Sequence, residues 1–395
     1  MKTNVKESIF KFIIFLYMVY LLWYSEAIGY SNILLYGGII IVVISFLLYI
    51  NGRSTDILRI PSGLLSWIAY GVTSLIIGLL IAADRGLLIS SLMTFFAFIF
   101  LCICISVVSR VEQNSQWFTN YLLAICVLCA LYTIFNGYDY YNGVMVVTMG
   151  ANNNPNTLGT LMVFGMFAVM YNEKKGVFQL VEALILLALF LYIIIITGSK
   201  KALLGGGVFL LIWIIGFLKD LKGKKLHYKI TSVLIIAAIC LIAFYYFTST
   251  YMNTASFERM TTLFTSGSTK MRSEMYEESI DFFKRSPLFG IGYDQFRVLS
   301  RYKLYSHSTY AEVMADGGII GMLLFITPIL IAGFRLFKLR KRTNTYTVWI
   351  FIALYCVEVF LGAVNIFMYD ITHLLIWSLI FFYTQYGAFY NEVKE

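Results

Sequence analysis

His307 is one of three histidines in the chain, and it stands directly before a helix start in the longest polar stretch. The surrounding residues, Pro287 to Gly321, carry a glycine-rich turn (Gly290, Ile291, Gly292), then Arg297, Arg301 and Lys303, then His307. A neutral imidazole near pH 7 is suited to taking a proton from a hydroxyl group. The basic residues before it suit an anion. Thr309-x-x-Glu312 has the spacing of a capping box, which gives Glu312 a structural reading. His307 and Glu312 would stand about 140° apart on a continuous helix, so Glu312 is poorly placed to orient the imidazole. Glu312, Asp316 and Asp294 are the alternative bases. Gly290-Ile-Gly292 lacks the third glycine and the preceding strand of a dinucleotide fingerprint and reads as a turn.

Two shorter polar segments carry related chemistry. Lys200 and Lys201 lie between two apolar runs, where charge is costly. They either snorkel to headgroups or form an anion site, because the helix starting there presents free N–H groups beside two ammonium groups. Asn154 is expected to cap a helix with Pro155 in its first position. Asn154 and Asn156 would then offer amides to sugar hydroxyls or phosphate, or simply begin a helix. Thr269 to Lys284 reads as an amphipathic helix, with Met271, Met275, Ser279, Phe282 and Phe283 on one side. Its acids lack a calcium-loop pattern and pair readily with Lys270 and Lys284. Arg272 lies near its start.

The elements that must position these groups are membrane spans. Of 395 residues, 60% are hydrophobic and 13% charged, against about 25% charged in soluble domains. The mean hydropathy is +0.79. Twelve runs approach the ~20 apolar residues that a span needs: roughly 9–25, 33–50, 62–82, 87–108, 117–135, 156–172, 178–197, 201–218, 229–247, 318–337, 346–366 and 371–389. With the N-terminus inside, most Lys and Arg fall on inside segments, so both termini are expected in the cytoplasm. The expected organisation is spans one to nine in 1–247, a long outer loop in 248–317, and spans ten to twelve with the C-terminus in 318–395. The net charge of +9 then follows largely from topology, which argues against nucleic acid. The run from Phe12 to Trp23 lacks a good cleavage site and reads as a first span. All six cysteines, Cys126-x-x-Cys129 included, sit in apolar runs and read as small buried residues. Glu182 and Glu358 are the intramembrane carboxylates; Glu358 would serve a proton path or a structural pair. His227 and His373 read as structural.

These residues resemble the family of O-antigen ligases and O-antigen or capsule polymerases of bacterial envelopes. Asn153-Asn154-Pro155-Asn156-Thr157-Leu158-Gly159 resembles the family's N-x-N-P-N-x-x-G segment. Thr197-Gly198-Ser199-Lys200-Lys201-Ala202 resembles its T-G-S-R-G-A turn, with Lys200 at the usual arginine. Pro287 to Gly292, then His307 to Glu312, then Gly317 to Gly321 resemble its P-x-x-G-x-G, H-N-x-Y-x-E and G-x-x-G patterns, with Ser308 at the usual asparagine. Lysine is a point charge and arginine a bidentate fork, so the anion geometry need not be the family's.

The resemblance implies an all-α polytopic membrane fold of about 12 transmembrane helices, similar to GT-C enzymes, whose long outer loop holds short helices. It implies glycosyl transfer without metal or other cofactor at the outer face of the plasma membrane. The donor would be an undecaprenyl-diphosphate-linked oligosaccharide. The acceptor would be a sugar hydroxyl on a lipid-linked repeat unit (polymerase) or on a different lipid (ligase). The implied roles are His307 as base and Lys200, Arg272 and Lys201 on the diphosphate, with Asn154, Asn156, Arg297, Arg301 and Glu312 as further binding residues. Membrane lipid, a chain-length regulator and a flippase are the implied partners. A lipid-linked oligosaccharide flippase or a scaffold of the same machinery are the other classes. A flippase would be built of related halves with midplane polar groups.

Overall fold

The computed structural model describes residues 2–29, 31–53, 58–141, 144–149, 154–172, 177–220, 245, 267–343 and 345–387. Nearly all of the expected ninth span, together with His227, Asn153 and the first part of the long loop, lies outside them. The helices are α1 (Lys2–Val19), α2 (Asn32–Ile50), α3 (Ser62–Ile81), α4 (Arg85–Val111), α5 (Gln116–Asn136), α6 (Pro155–Tyr171), α7 (Val177–Thr197) and α8 (Lys200–Asp220). They continue with α9 (Gly267–Arg285), the short α10 (Phe296–Leu299), α11 (Thr309–Thr343), α12 (Tyr346–Gly362) and α13 (Ile371–Phe382). The described chain is otherwise helical, as expected, with one short antiparallel hairpin, Tyr138–Tyr141 with Val144–Val147, between α5 and α6.

By length and composition, six helices among the described residues can cross a membrane: Val5–Ala27, Asn32–Ile50, Ser62–Ile81, Arg85–Val111, Gln116–Asn136 and Thr309–Thr343. Pro155–Tyr171, Val181–Thr197 and Tyr346–Gly362 are apolar but shorter. At 1.5 Å per residue, the 35 residues of α11 run about 52 Å, well beyond the ~30 Å hydrocarbon core. A break at Gly318 (φ 60°, ψ −155°) resolves the excess, because it sets the first turns apart from the apolar run that follows.

Two backbone problems in α11 are solved by neighbours. Pro328 has no N–H, so the carbonyl of Leu324 loses its helical donor. The Ser66 hydroxyl of α3 donates to that carbonyl at 2.6 Å, and Trp67 Nε1 donates to the next one, Phe325, at 3.0 Å. Inside a membrane such groups need a protein partner. At Gly318, the N–H of Ile319 donates to Pro287 O at 2.8 Å and that of Ile320 to Leu288 O at 3.2 Å. Ile291 and Gly292 donate to Ala315 O and Asp316 O, both at 3.0 Å. The Pro287–Gly292 turn is thus stitched to the break. A Cβ at Gly290 (φ 70°) would lie 2.4 Å from the Asp316 backbone, and one at Gly318 would lie 2.6 Å from the Leu288 backbone. Only glycine satisfies both the left-handed φ and the close approach.

α9 bears out the expected amphipathic helix. Met275, Ser279 and Phe282 are buried, and Phe282 meets Phe296 edge to face with ring centroids 5.7 Å apart. The pairing of its acids differs in part from expectation. Lys284 does pair with Asp281, at 3.4 Å, but Glu274 pairs with Arg301 at 2.9 Å and accepts the Tyr302 hydroxyl.

Candidate active site

The N-termini of α6 and α8 are built against each other. Asn154 caps α6: its Oδ1 accepts the Asn156 N–H at 2.9 Å, and Pro155 takes the first helical position. Asn156 Oδ1 in turn accepts the Ser199 hydroxyl at 2.9 Å. Ser199 Oγ also accepts the Ala202 N–H at 3.4 Å and so caps α8. Contact this close requires small residues: a Cβ at Gly159 would sit 2.8 Å from Ala202 Cβ. Two motifs separated by some forty residues are therefore one structural unit.

α9 and the segment before α11 complete the site. Tyr276, one turn beyond Arg272 on the same helical face, donates its hydroxyl to Ala363 O at 3.1 Å. The capping box expected at Thr309 and Glu312 does not form. Ser308 carries the cap, with its Oγ accepting the Ala311 N–H at 3.4 Å. Thr309 instead donates its N–H (2.8 Å) and its hydroxyl (2.7 Å) to Asn365 O. Buried Glu312 accepts the Ser306 N–H at 2.7 Å. Between these two ties His307 takes a left-handed backbone, φ 60°, which a non-glycine residue rarely adopts.

These elements enclose a cavity of about 340 Å³. Among the residues singled out from sequence, it is lined by His307, Lys201, Arg272, Asn154 and Asn156. Leu21, Leu22, Phe98, Leu161 and Ile371 make an apolar wall. Leu21 and Leu22 lie in the π-helical stretch Tyr20–Tyr24 that continues α1, a distortion common at functional sites. Arg272 makes no ion pair among the described residues, and neither ring nitrogen of His307 is committed to a hydrogen bond there. The His307 ring meets Tyr305 edge to face, centroids 4.7 Å apart. Burial pushes the His307 pKa down to about 4, and the charges of Arg272 and Lys201 push the same way. Burial and the two facing cations therefore hold His307 toward its neutral form.

Other sequence candidates lie elsewhere. Lys200, expected on the diphosphate with Lys201 and Arg272, does not line the cavity; Lys201 does. Arg297 is paired with the buried Asp294, which also accepts the Ser91 hydroxyl. Burial raises the Asp294 pKa against these two partners. Arg301 is held by Glu274 and by its own N–H to Glu278 at 2.9 Å. Asp316 accepts the N–H groups of Asp294 (2.7 Å) and Phe296 (3.1 Å) and shapes the turn before α10. None of the three alternative bases lines the cavity: Glu312, Asp316 and Asp294 all serve backbone or cation partners away from it.

Sequence reasoning missed Glu26, Tyr305, Asn365, Tyr369 and Asp370, which also line the cavity. Asp370 and Asn365 sit in the short connection before α13. A Val-Asn-Ile break followed by Asp-x-Thr, a helix-cap pattern, marks that connection as polar. Nothing in the sequence indicates that it folds back over Lys201. Among the described residues no group of three or more His, Cys, Asp or Glu could hold a metal ion.

No curated protein matches the chain. The family model described as O-antigen ligase matches residues 183–326, a stretch that contains Lys200, Lys201, Arg272 and His307 and ends within α11. Over this segment the chain is similar to the O-antigen ligase family.

Proposed function

We propose that the chain is a polysaccharide polymerase, transferring a glycan from undecaprenyl diphosphate to a sugar hydroxyl of a lipid-linked repeat unit at the outer face of the plasma membrane. One observation carries the reading. A neutral histidine, Lys201 and Arg272 share a single cavity with an apolar wall. That combination suits a substrate that is part sugar, part diphosphate and part lipid.

The chemistry follows from those groups. His307 takes the proton of the acceptor hydroxyl as that oxygen bonds to the anomeric carbon. The bond from that carbon to the diphosphate oxygen breaks, and the lipid diphosphate leaves with the electron pair. Lys201 and Arg272 hold fixed positive charge where negative charge grows. Lys200 adds a longer-range positive charge. Asn154 and Asn156 offer amides to sugar hydroxyls. Attack from the face opposite the diphosphate inverts the anomeric centre.

Burial and the two cations that face it make His307 a weak base. A bound diphosphate neutralises those cations and restores basicity when the substrate is present. The family description supports a second reading, the ligase, in which the same step delivers the glycan to a different lipid. Purified protein supplied only with a lipid-linked repeat unit separates the two. A ladder of longer glycans with release of lipid diphosphate is the polymerase outcome; transfer only on addition of a second lipid acceptor is the ligase outcome. Neither product from a folded protein would overturn both.

A further inference from the structure

Glu358 of α12 and His373 of α13 are fully buried, and the transfer described above uses neither. They are the inner end of a hydrogen-bonded chain that reaches the cavity. The Lys201 ammonium can only donate, and it donates to Asn365 Oδ1. This fixes the amide orientation, so Asn365 Nδ2 faces His373 Nε2 at 3.1 Å and donates to it. His373 Nε2 therefore accepts, and Nδ1 carries the hydrogen. Nδ1 lies 3.1 Å from both Glu358 oxygens and donates to that carboxylate. Every bond in the chain has one admissible direction once Lys201 is charged. Asp370 does not compete: its Oδ2 is 3.8 Å from His373 Nε2, beyond hydrogen-bond range, and its Oδ1 accepts the Thr372 N–H at 2.8 Å.

The surroundings hold the chain rigid. His373 is packed between Phe367 and Phe164, with ring centroids at 4.6 and 5.7 Å. The Asn365 carbonyl receives both donors of Thr309, two residues after His307. One residue therefore touches both the lysine and the segment that carries the histidine.

We propose that Glu358, His373 and Asn365 are positioning residues, a buried chain that holds the Lys201 ammonium at the diphosphate-binding wall of the cavity. The proposal rests on the reading of this cavity as a lipid diphosphate site. A lysine side chain is long and flexible and would otherwise extend to water. Stabilising a leaving group requires charge that is already in place, and a directional chain anchored in the bilayer interior supplies that constraint. Neighbouring groups polarise one another along such a chain.

The test is a binding cycle on the full-length protein in lipid nanodiscs, with undecaprenyl diphosphate as the probe. Lys201→Ala is expected to weaken binding. Glu358→Leu is expected to weaken it on the order of tenfold, within the range for directly coupled residues. Glu358→Gln keeps an oxygen for the His373 N–H and is expected to bind close to wild type. In a Lys201→Ala background, Glu358→Leu is expected to cause no further loss. A second loss in that background, or full affinity in Glu358→Leu alone, would overturn the positioning role while leaving the cavity reading intact. Full affinity in Lys201→Ala would overturn the cavity reading and the chain with it. If Glu358→Leu does not accumulate, the double replacement Glu358→Leu with His373→Phe leaves no lone buried charge and carries the same cycle.

Discussion

Glu312 accepts the backbone N–H of Ser306 at 2.7 Å, and this bond holds the turn that puts His307 in the left-handed region. The acid of the His-Ser-Thr-Tyr-Ala-Glu motif therefore acts on the chain before the histidine and not on its ring. Glu312→Gln keeps an accepting oxygen and is expected to retain most activity. Glu312→Ala leaves a buried N–H without a partner, which costs about 1–3 kcal/mol. Its thermal midpoint and turnover should fall together. Unchanged turnover in Glu312→Ala would remove the carboxylate from the positioning of His307.

The pH dependence has a definite sign. His307 acts as base only when neutral, and burial with the charges of Arg272 and Lys201 holds its pKa down to about 4. For the free enzyme, kcat/KM should stay flat through pH 6 and fall only as pH drops toward 4. In the substrate complex the diphosphate masks Arg272 and Lys201, so kcat should begin to fall at a higher pH than kcat/KM. Lys201→Ala removes one of the charges that depress His307, and its kcat/KM inflection should move upward. An inflection near 6.5 that is insensitive to Lys201 would mean that the cations do not act on the imidazole.

The cations should separate by position. Lys201→Ala and Arg272→Ala are expected to lose most transfer activity, because both line the cavity. Lys200→Ala should lose less, and Lys200→Arg should retain activity. Arg297→Ala unpairs the buried Asp294 and should show as a lower thermal midpoint before any defect in the chemical step. Transfer measured in nanodiscs alongside thermal unfolding separates the two patterns. A Lys200→Ala protein more impaired than Lys201→Ala would reverse the assignment.

The parts legible from sequence were those set by local rules. Pro155 after Asn154 marked a helix start, the apolar spacing from Met271 to Phe282 marked α9, and the apolar runs that fall on described residues coincide with helices. His307 stood out as one of three histidines and Lys201 as a misplaced charge between apolar runs, whereas Arg272 was raised only by the family resemblance. What was not legible depends on contacts between distant segments. Lys200 and Lys201 are adjacent in sequence and differ only in which face of α8 each occupies, and that face is fixed by packing of Gly159 on Ala202. Arg297 and Arg301 looked free because Asp294 and Glu274 come beside them only in the fold. Glu358 and His373 are fifteen residues apart on different helices, and their pairing is tertiary.

Orientation is open to labelling. On a background without native cysteines, Lys270→Cys in α9 and Lys341→Cys at the basic end of α11 should react from opposite sides with an impermeant thiol reagent, Lys270→Cys from outside. Both positions are exposed in the fold. Reaction of both from outside would refute the placement of the cavity relative to the bilayer.

The histidine itself is best replaced by asparagine, which tolerates the left-handed backbone at this position. In nanodiscs, with a lipid-linked repeat unit as the only substrate, single-turnover release of undecaprenyl diphosphate should fall by about 10²–10⁴-fold in His307→Asn. Its affinity for undecaprenyl diphosphate and its thermal midpoint should stay near wild type. Release at the wild-type rate in a folded His307→Asn protein would contradict a transfer reaction that uses His307 as its base.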